Sequence, residues 1–386
     1  MVRIPRLTVV SRDPDLVRRG HLPWARLDIT LRWLYTSSWQ ITLPATPRVL
    51  DRCAPGWGVL VYLDGEQILS GSAEDIDREA DHAAAGTVEI TGADDLAIVA
   101  GELAYPDPTS AATSQSAASH DSRSGAAETV IKGYVAANVG TSRAAARKDA
   151  AAPDVREVTV APDQARGNSV SYKARFDPLM EIVRTAHGGL GVSCAQDGTD
   201  LVFDVIEPTD RSASATFSFA MGNLRRARWN RGYPEATHVV VAGDGEGTAR
   251  AFRERSDAAT AEEWRMITRV FKDQRHTSDA TELDQAGDEE LAKAARSGIL
   301  AAELIDTPRL TYGAGYRLGD RVTISPEPGV VFTDVITSVR ITADAESGDV
   351  TITPSIGFAD GGPYETRQER AVREVARRIG ALERSL

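Results

Sequence analysis

The sequence predicts an α+β, multi-domain protein. Two small antiparallel β-barrel or sandwich modules flank an inserted α/β domain, and a helix closes the chain. Three observations predict it. Alternating apolar residues broken by turn signals fill the first hundred residues and again the stretch from about residue 303 to 358. Between them, helical spacings interleave with strand-like runs. After them, a heptad pattern occupies Tyr364–Leu386.

The first β module is assigned to residues 1–105. Within residues 25–43, Leu27, Ile29, Leu31 and Trp33 fall on one strand face, and Trp39, Ile41 and Leu43 on another. Pro44 ends the second strand. Asp64-Gly65, between Val59–Leu63 and Ile68–Leu69, is a hairpin signal. Val88 and Ile90 mark a further strand. A short helix is expected from about Ala93–Asp95, stopped by Pro106 and Pro108.

Residues 106–126 carry no large aliphatic side chain, so they are expected to be a flexible Ser/Ala-rich loop. The α/β domain, 127–215, opens with Val130, Ile131, Tyr134 and Val135 at helical spacing. Residues 155–161 alternate as a strand. A second helix then stops at Gly188-Gly189, and two strands follow around an Asp197-Gly198 turn. Residues 216–302 hold returning strands and a helical segment. Thr237–Ala242 is a strand, residues 264–273 alternate, and Glu282–Arg296 is an amphipathic helix with Leu283 and Leu291 on one side. The second β module, 303–360, turns at Gly329 and Ser347-Gly348.

The terminal segment, 364–386, places Val372, Val375, Ile379, Leu382 and Leu386 at alternating spacings of three and four. Arg378 and Glu383 then occupy g and e positions and can pair between parallel helices. These five apolar residues are the expected oligomer interface, a coiled coil in which copies of the chain meet around an axis. The alternative is an amphipathic helix packed on its own domain, since the run is shorter than about three heptads.

Composition narrows the function. A chain of 386 residues, 42% hydrophobic and 26% charged, is ordinary for a soluble globular protein. No apolar run reaches the roughly 18 residues of a membrane helix, and the N-terminus lacks a signal-peptide core. No membrane insertion and synthesis in the cytoplasm are therefore expected. The formal net charge of −12 argues against a protein that grips nucleic acid. Cys53 and Cys194 lack CxxC neighbours, which argues against structural zinc.

Signals for catalysis are weak. The histidines, at 21, 82, 120, 187, 238 and 276, form no HExxH or HxH arrangement, and no GxSxG elbow occurs. Gly243–Thr248 lacks the lysine of a phosphate loop and reads as a strand turn. Carboxylates cluster at Glu74, Asp75, Asp77, Glu79 and Asp81, and again at Asp94-Asp95. Such clusters suit glycoside hydrolysis or calcium, but a solvated acidic face is the expected reading. Trp24, Trp33, Tyr35 and Trp39 suit a carbohydrate platform, against which stands core packing on a strand face. No catalytic residue, cofactor or metal ligand is expected.

Several stretches, in order, resemble a family of tail proteins from siphophages of actinobacteria. They are DITLRW with WQITLP, GVLVYLDGEQILSG, ITGADDLAIVAGELAYPDP and AETVIKGYVAANVG, followed by PEATHVVVAGDGEGTARAFRER, IDTPRLTYGAGYRLGDRVTI and TPSIGF. The resemblance covers nearly all of the chain to about residue 360. It implies a baseplate hub or tail-tip protein in the virion tail, a homotrimer whose paired β modules form a ring. It further implies contacts with the distal tail protein ring, the tape-measure protein and downstream tip proteins. DNA would pass through the channel without specific binding, as an acidic wall allows. The alternatives are a tail-associated hydrolase of cell wall or glycan using the carboxylate clusters, and a carbohydrate-binding tail module using the tryptophans.

Overall fold

The computed structural model describes residues 5–81, 84–148, 155–229, 233–245, 250–275, 278–294 and 301–357. The expected interface residues Val372, Val375, Ile379, Leu382 and Leu386 lie outside them.

The chain is mostly β, built on one large curled sheet with several small ones. The N-terminal strands are β1 (Leu7–Arg12), β2 (Arg18–His21), β3 (Arg26–Arg32), β4 (Ser38–Pro44), β5 (Gly58–Leu63), β6 (Glu66–Asp81) and β7 (Ala84–Asp94). They lie side by side in the order β3-β4-β7-β6-β5-β1-β2. β3 also pairs antiparallel with Ser338–Asp344, in register Ile29↔Ile341. Val350–Ile356, Ala301–Leu304 and Leu224–Arg228 complete an eleven-stranded sheet. Strands from both ends of the sequence thus belong to a single sheet.

Alternation explains its two faces. Leu27, Ile29, Leu31, Trp39, Ile41, Leu43, Val88, Ile90, Val339 and Ile341 are buried. Their neighbours Asp28, Thr30, Gln40, Thr42, Glu89 and Thr342 point the opposite way, toward solvent. Trp33 leaves the pattern because β3 ends at Arg32 and Leu34 adopts φ +61°. The indole lies instead against Gly191 and Gly319, where an added Cβ would come within 2.1 Å of the ring. Only glycine leaves room for it there.

In the inserted region the helix Ala127–Asn138 buries Val130, Ile131, Tyr134 and Val135, the residues whose spacing predicts it. It packs with the helix Leu179–Ala186 and with the hairpin Gly191–Asp197 and Asp200–Ile206 around Phe203. Gly188 and Gly189 follow the second helix with φ +56° and +90°. Asp121–Ala126 is a strand that pairs with Ser169–Ala174, held by backbone hydrogen bonds and not by an apolar face. The expected strand at 155–161 is reduced to Thr159–Val160.

The chain divides into two compact units, the described residues of Met1–Arg226 with Ala302–Leu386, and those of Ala227–Ala301. The second is a three-stranded sheet in the order Phe252–Ser256, His238–Ala242, Arg269–Asp273. The helix Ala280–Ala294 covers one face, with Leu283 and Ala286 against Val239 and Val241. Within residues 264–273, only the second half is strand, because Ala258–Trp264 is helical and Arg265 turns the chain at φ +51°.

Candidate functional site

The polar face of the large sheet is the most extensive candidate surface. Strand register places Asp75 beside Thr91, Asp77 beside Glu89 and Glu79 beside Thr87. It continues with Thr42 opposite Glu89, Gln40 opposite Asp28, and Asp28 opposite Thr342. Arg26 meets Asp344, and Thr342 meets Thr351. Asp28, Asp75, Asp77, Glu79, Glu89 and Asp344 therefore share one face, where Arg26, Arg32 and Arg340 supply half as many positive charges. Arg340 Nη2 donates to Asp28 Oδ2 at 2.6 Å. Arg32 Nη1 donates to Thr36 O at 3.1 Å and Ser38 Oγ at 3.0 Å.

A groove of about 760 Å³ opens on this face, lined by Arg26, Asp28, Gln40, Thr42, Glu89, Asp344 and the turn acids Glu346 and Asp349 among others. Carboxylates and threonine hydroxyls hydrate well and repel polyanions.

Beneath the sheet lies a second polar feature. Arg12 and Asp95 are fully buried. Arg12 Nη1 donates to Asp95 Oδ2 at 2.7 Å and to Gln196 Oε1 at 3.1 Å. Its Nη2 donates to Asp95 Oδ1 and, at 3.2 Å, to Ser72 Oγ. Ser70 Oγ donates to Asp95 Oδ2 at 2.6 Å and accepts the Gln196 N–H at 2.8 Å. Gly58 and Gly71 make room: a Cβ on Gly58 would lie 2.7 Å from Arg12 Nε, and one on Gly71 2.7 Å from Trp39 Nε1. The network ties β1, β6 and the end of β7 to the strand Gly191–Asp197. Such a pair fixes geometry more than it adds stability.

Neighbouring Asp94 accepts the Ser37 N–H at 3.0 Å through Oδ2, while its Oδ1 has no protein partner. Burial, with the Asp95 charge adding to it, pushes its pKa up to about 6. In the inserted region, buried Glu128 accepts from Arg166 Nε at 2.8 Å, Arg166 N at 3.0 Å and Lys132 Nζ at 2.7 Å. The Arg166 hydrogen bonds hold its carboxyl well below the usual range.

The residues weighed for chemistry do not converge. Glu74, Asp75, Asp77 and Glu79 are exposed along β6, as a solvated face requires. Of Asp94 and Asp95, expected at the surface with them, Asp95 is instead buried under the sheet with Arg12 as its partner, and Asp94 is half-buried beside Ser37. No group of three His, Cys, Asp or Glu able to hold a metal occurs among the described residues. His238 sits in its strand beside Thr237 Oγ1 at 3.1 Å, and His187 Nδ1 accepts the Gly189 N–H at 3.1 Å. Cys53 and Cys194 are buried free thiols whose pKa burial raises. Trp39 is buried, donating to Ala93 O at 3.1 Å, and Trp33 is wedged between glycines, so neither presents its ring as part of an exposed platform; Tyr35 is exposed.

Sequence reasoning passed over Arg12, Gln196, Glu128 and Lys132. The one available signal for the first was the run of strand glycines at 58, 71 and 92.

The fold has solved counterparts. A tail protein from Neisseria meningitidis MC58 is 12% identical with a TM-score of 0.52, over 90% of this chain and 95% of that one. The 43 kDa tail protein of prophage MuSo2 from Shewanella oneidensis is 15% identical with a TM-score of 0.52, over 91% and 98%. The prophage tail protein gp18 from Listeria monocytogenes EGD-e is 11% identical with a TM-score of 0.51, over 96% and 99%. No curated protein matches the sequence. The family model for siphovirus ReqiPepy6 Gp37-like proteins matches residues 8–358, and the chain belongs to that family.

Proposed function

We propose that this protein is a structural baseplate hub or tail-tip component of a long-tailed phage. It assembles as a homotrimeric ring that closes the distal tail tube and docks tip proteins during DNA ejection. The observation that carries the reading is the acidic, hydroxyl-rich face of a sheet to which both ends of the chain contribute strands. Turned inward, that face gives a wall along which DNA slides without being held.

The sheet is open at β2 and at Leu224–Arg228. Exposed Arg18 and Arg19 mark one edge, and Arg225 and Arg226 the other. Arginine-rich edges discourage unprogrammed strand pairing, which suits a subunit assembled only in register with its neighbours. The five heptad residues Val372, Val375, Ile379, Leu382 and Leu386 supply a seam along the threefold axis. The distal tail ring, tape-measure protein and downstream tip proteins are the partners this position implies. The role is mechanical, and no catalytic residue is assigned.

Electron microscopy of virions carrying a gold-labelled C-terminal tag on this protein tests the placement. Label at the distal end of the tail is the expected outcome. Label on the capsid, or none on the particle, rejects it.

A further inference from the structure

The polar face of the large sheet carries more negative charge than its own arginines answer. Strand register sets Asp344, Arg26, Thr42, Glu89 and Asp77 in one row across five neighbouring strands. At about 4.8 Å per strand interval, the row is about 19 Å long. Arg26 meets Asp344 only at 3.4 Å, with its own side chain 78% exposed. Glu89 and Asp77 form no ion pair among the described residues. Neither do Glu346 and Asp349, the turn acids of the groove beside the row.

The sequence of the same chain supplies a line of opposite sign. With Val372, Val375, Ile379, Leu382 and Leu386 at a and d, Arg370, Arg377 and Arg384 fall at successive f positions, opposite the apolar seam. At helical rise, that spacing puts them about 10.5 Å apart and about 21 Å from first to last. The acids Glu369, Glu374 and Glu383 fall at e and c positions, so none interrupts the line. Residues 364–386 hold six arginines against four glutamates, a positive segment in a chain of net charge −12.

We propose that the segment 364–386 docks on the polar face of its own chain. Its arginine line lies along the row from Asp344 to Asp77, and its apolar seam is left facing sister copies. Sign and length match: three arginines over about 21 Å meet a net-negative row of about 19 Å. Reach selects the same chain. The last described strand, Val350–Ile356, borders the groove through Thr351, about 17 Å before its end. Gly357 then turns the chain at φ +74°. The seven residues 357–363 extend to at most about 24 Å, enough to return over that groove. Exposed ion pairs are individually weak and screened by salt, so the contact is a reversible cover over the acidic face.

Cross-linking of the full chain carrying both Thr42→Cys and Ala381→Cys, with a short bismaleimide, tests it. Position 381 is four residues after Arg377 and three before Arg384, on the arginine side. Native Cys53 and Cys194 are 2% and 6% exposed, so wild type is the background control. The expected result is a linked peptide pair joining the two cysteines, lost at high salt. Changing Arg370, Arg377 and Arg384 to Glu should abolish it, and adding Asp77→Lys, Glu89→Lys and Asp344→Lys to that chain should restore it. Melting curves establish that each variant folds. No link from Thr42→Cys or from Thr351→Cys, a second groove position, overturns the proposal. So does a link that survives the charge reversal. In a mixture of isotope-labelled and unlabelled chains, links that join different chains place the segment on a neighbour and overturn it as well. The proposal does not depend on the hub reading, which virion labelling tests separately.

Discussion

Arg12 and Asp95 form an ion pair with no solvent exposure on either side chain, across 83 residues of sequence. Asp95 lies just past β7, at the N-cap of the helix Leu96–Ala100. Gln196 reaches the same guanidinium from the inserted hairpin. Removing one partner leaves an uncompensated buried charge. Arg12→Met and Asp95→Leu are each expected to destabilise by about 3–5 kcal/mol. Arg12→Met combined with Asp95→Leu is expected to cost less than the two single changes together, because no charge is stranded. Urea denaturation of the four proteins checks this; strictly additive losses would disprove the coupling.

Trp33 and Gly191 give a second test. A methyl at 191 would sit 2.1 Å from the indole. Gly191→Ala is expected to destabilise by roughly 1–3 kcal/mol through overpacking. Trp33→Ala makes room, so the alanine at 191 should cost little in that background. A double-mutant cycle on melting curves measures the coupling. No interaction between the two sites would mean that the ring does not fill that space.

Asp94 and Glu128 bend the pH profile in opposite directions. The folded pKa of Asp94 is raised from 3.8 to about 6, so its stabilising contribution is full below about pH 4 and is lost as pH rises through 6. Asp94→Asn keeps an acceptor for the Ser37 N–H and should be more stable than wild type at pH 8, by on the order of 1–2 kcal/mol, with the difference gone near pH 4. Glu128 is depressed below 4.5, so its contribution is present above that value and is lost as pH falls. Glu128→Gln should therefore be destabilising at pH 7 and progressively less so in acid. Melting temperatures across pH 3–8 read both slopes, and parallel profiles for wild type and variants would contradict the assignments.

Much of this fold was legible in the sequence, for a physical reason. One-sided burial writes itself as a period, and Val130, Ile131, Tyr134 and Val135 fall on the buried side of a helix their spacing indicates. Gly188-Gly189 and Gly198 occupy the positive-φ turns their positions imply. What alternation does not carry is the partner of a strand. Asp28 meets Arg340 from 312 residues away, and nothing local in either strand encodes that pairing. Asp121–Ala126 was illegible because its side chains give no apolar period; the strand is held by backbone pairing and by Arg123 over the Tyr134 ring. Asp95 reads as surface acid because the arginine that neutralises it lies in another strand.

Charge on the polar sheet face predicts how the protein treats DNA. The wild type should show no retention on duplex DNA at physiological salt. Replacing Asp28, Asp77 and Glu89 with lysine converts the middle of the face to positive charge and should produce salt-sensitive binding in fluorescence anisotropy. Binding by the wild type that weakens with salt would contradict an acidic, non-retaining wall.

The most direct measurement is a cryo-electron microscopy map of the assembled protein, purified or in the virion tail. The account predicts a threefold ring in which the strand face bearing Asp28, Glu89 and Asp344 lines the central opening. A monomer, or a ring with that face turned outward, would contradict it.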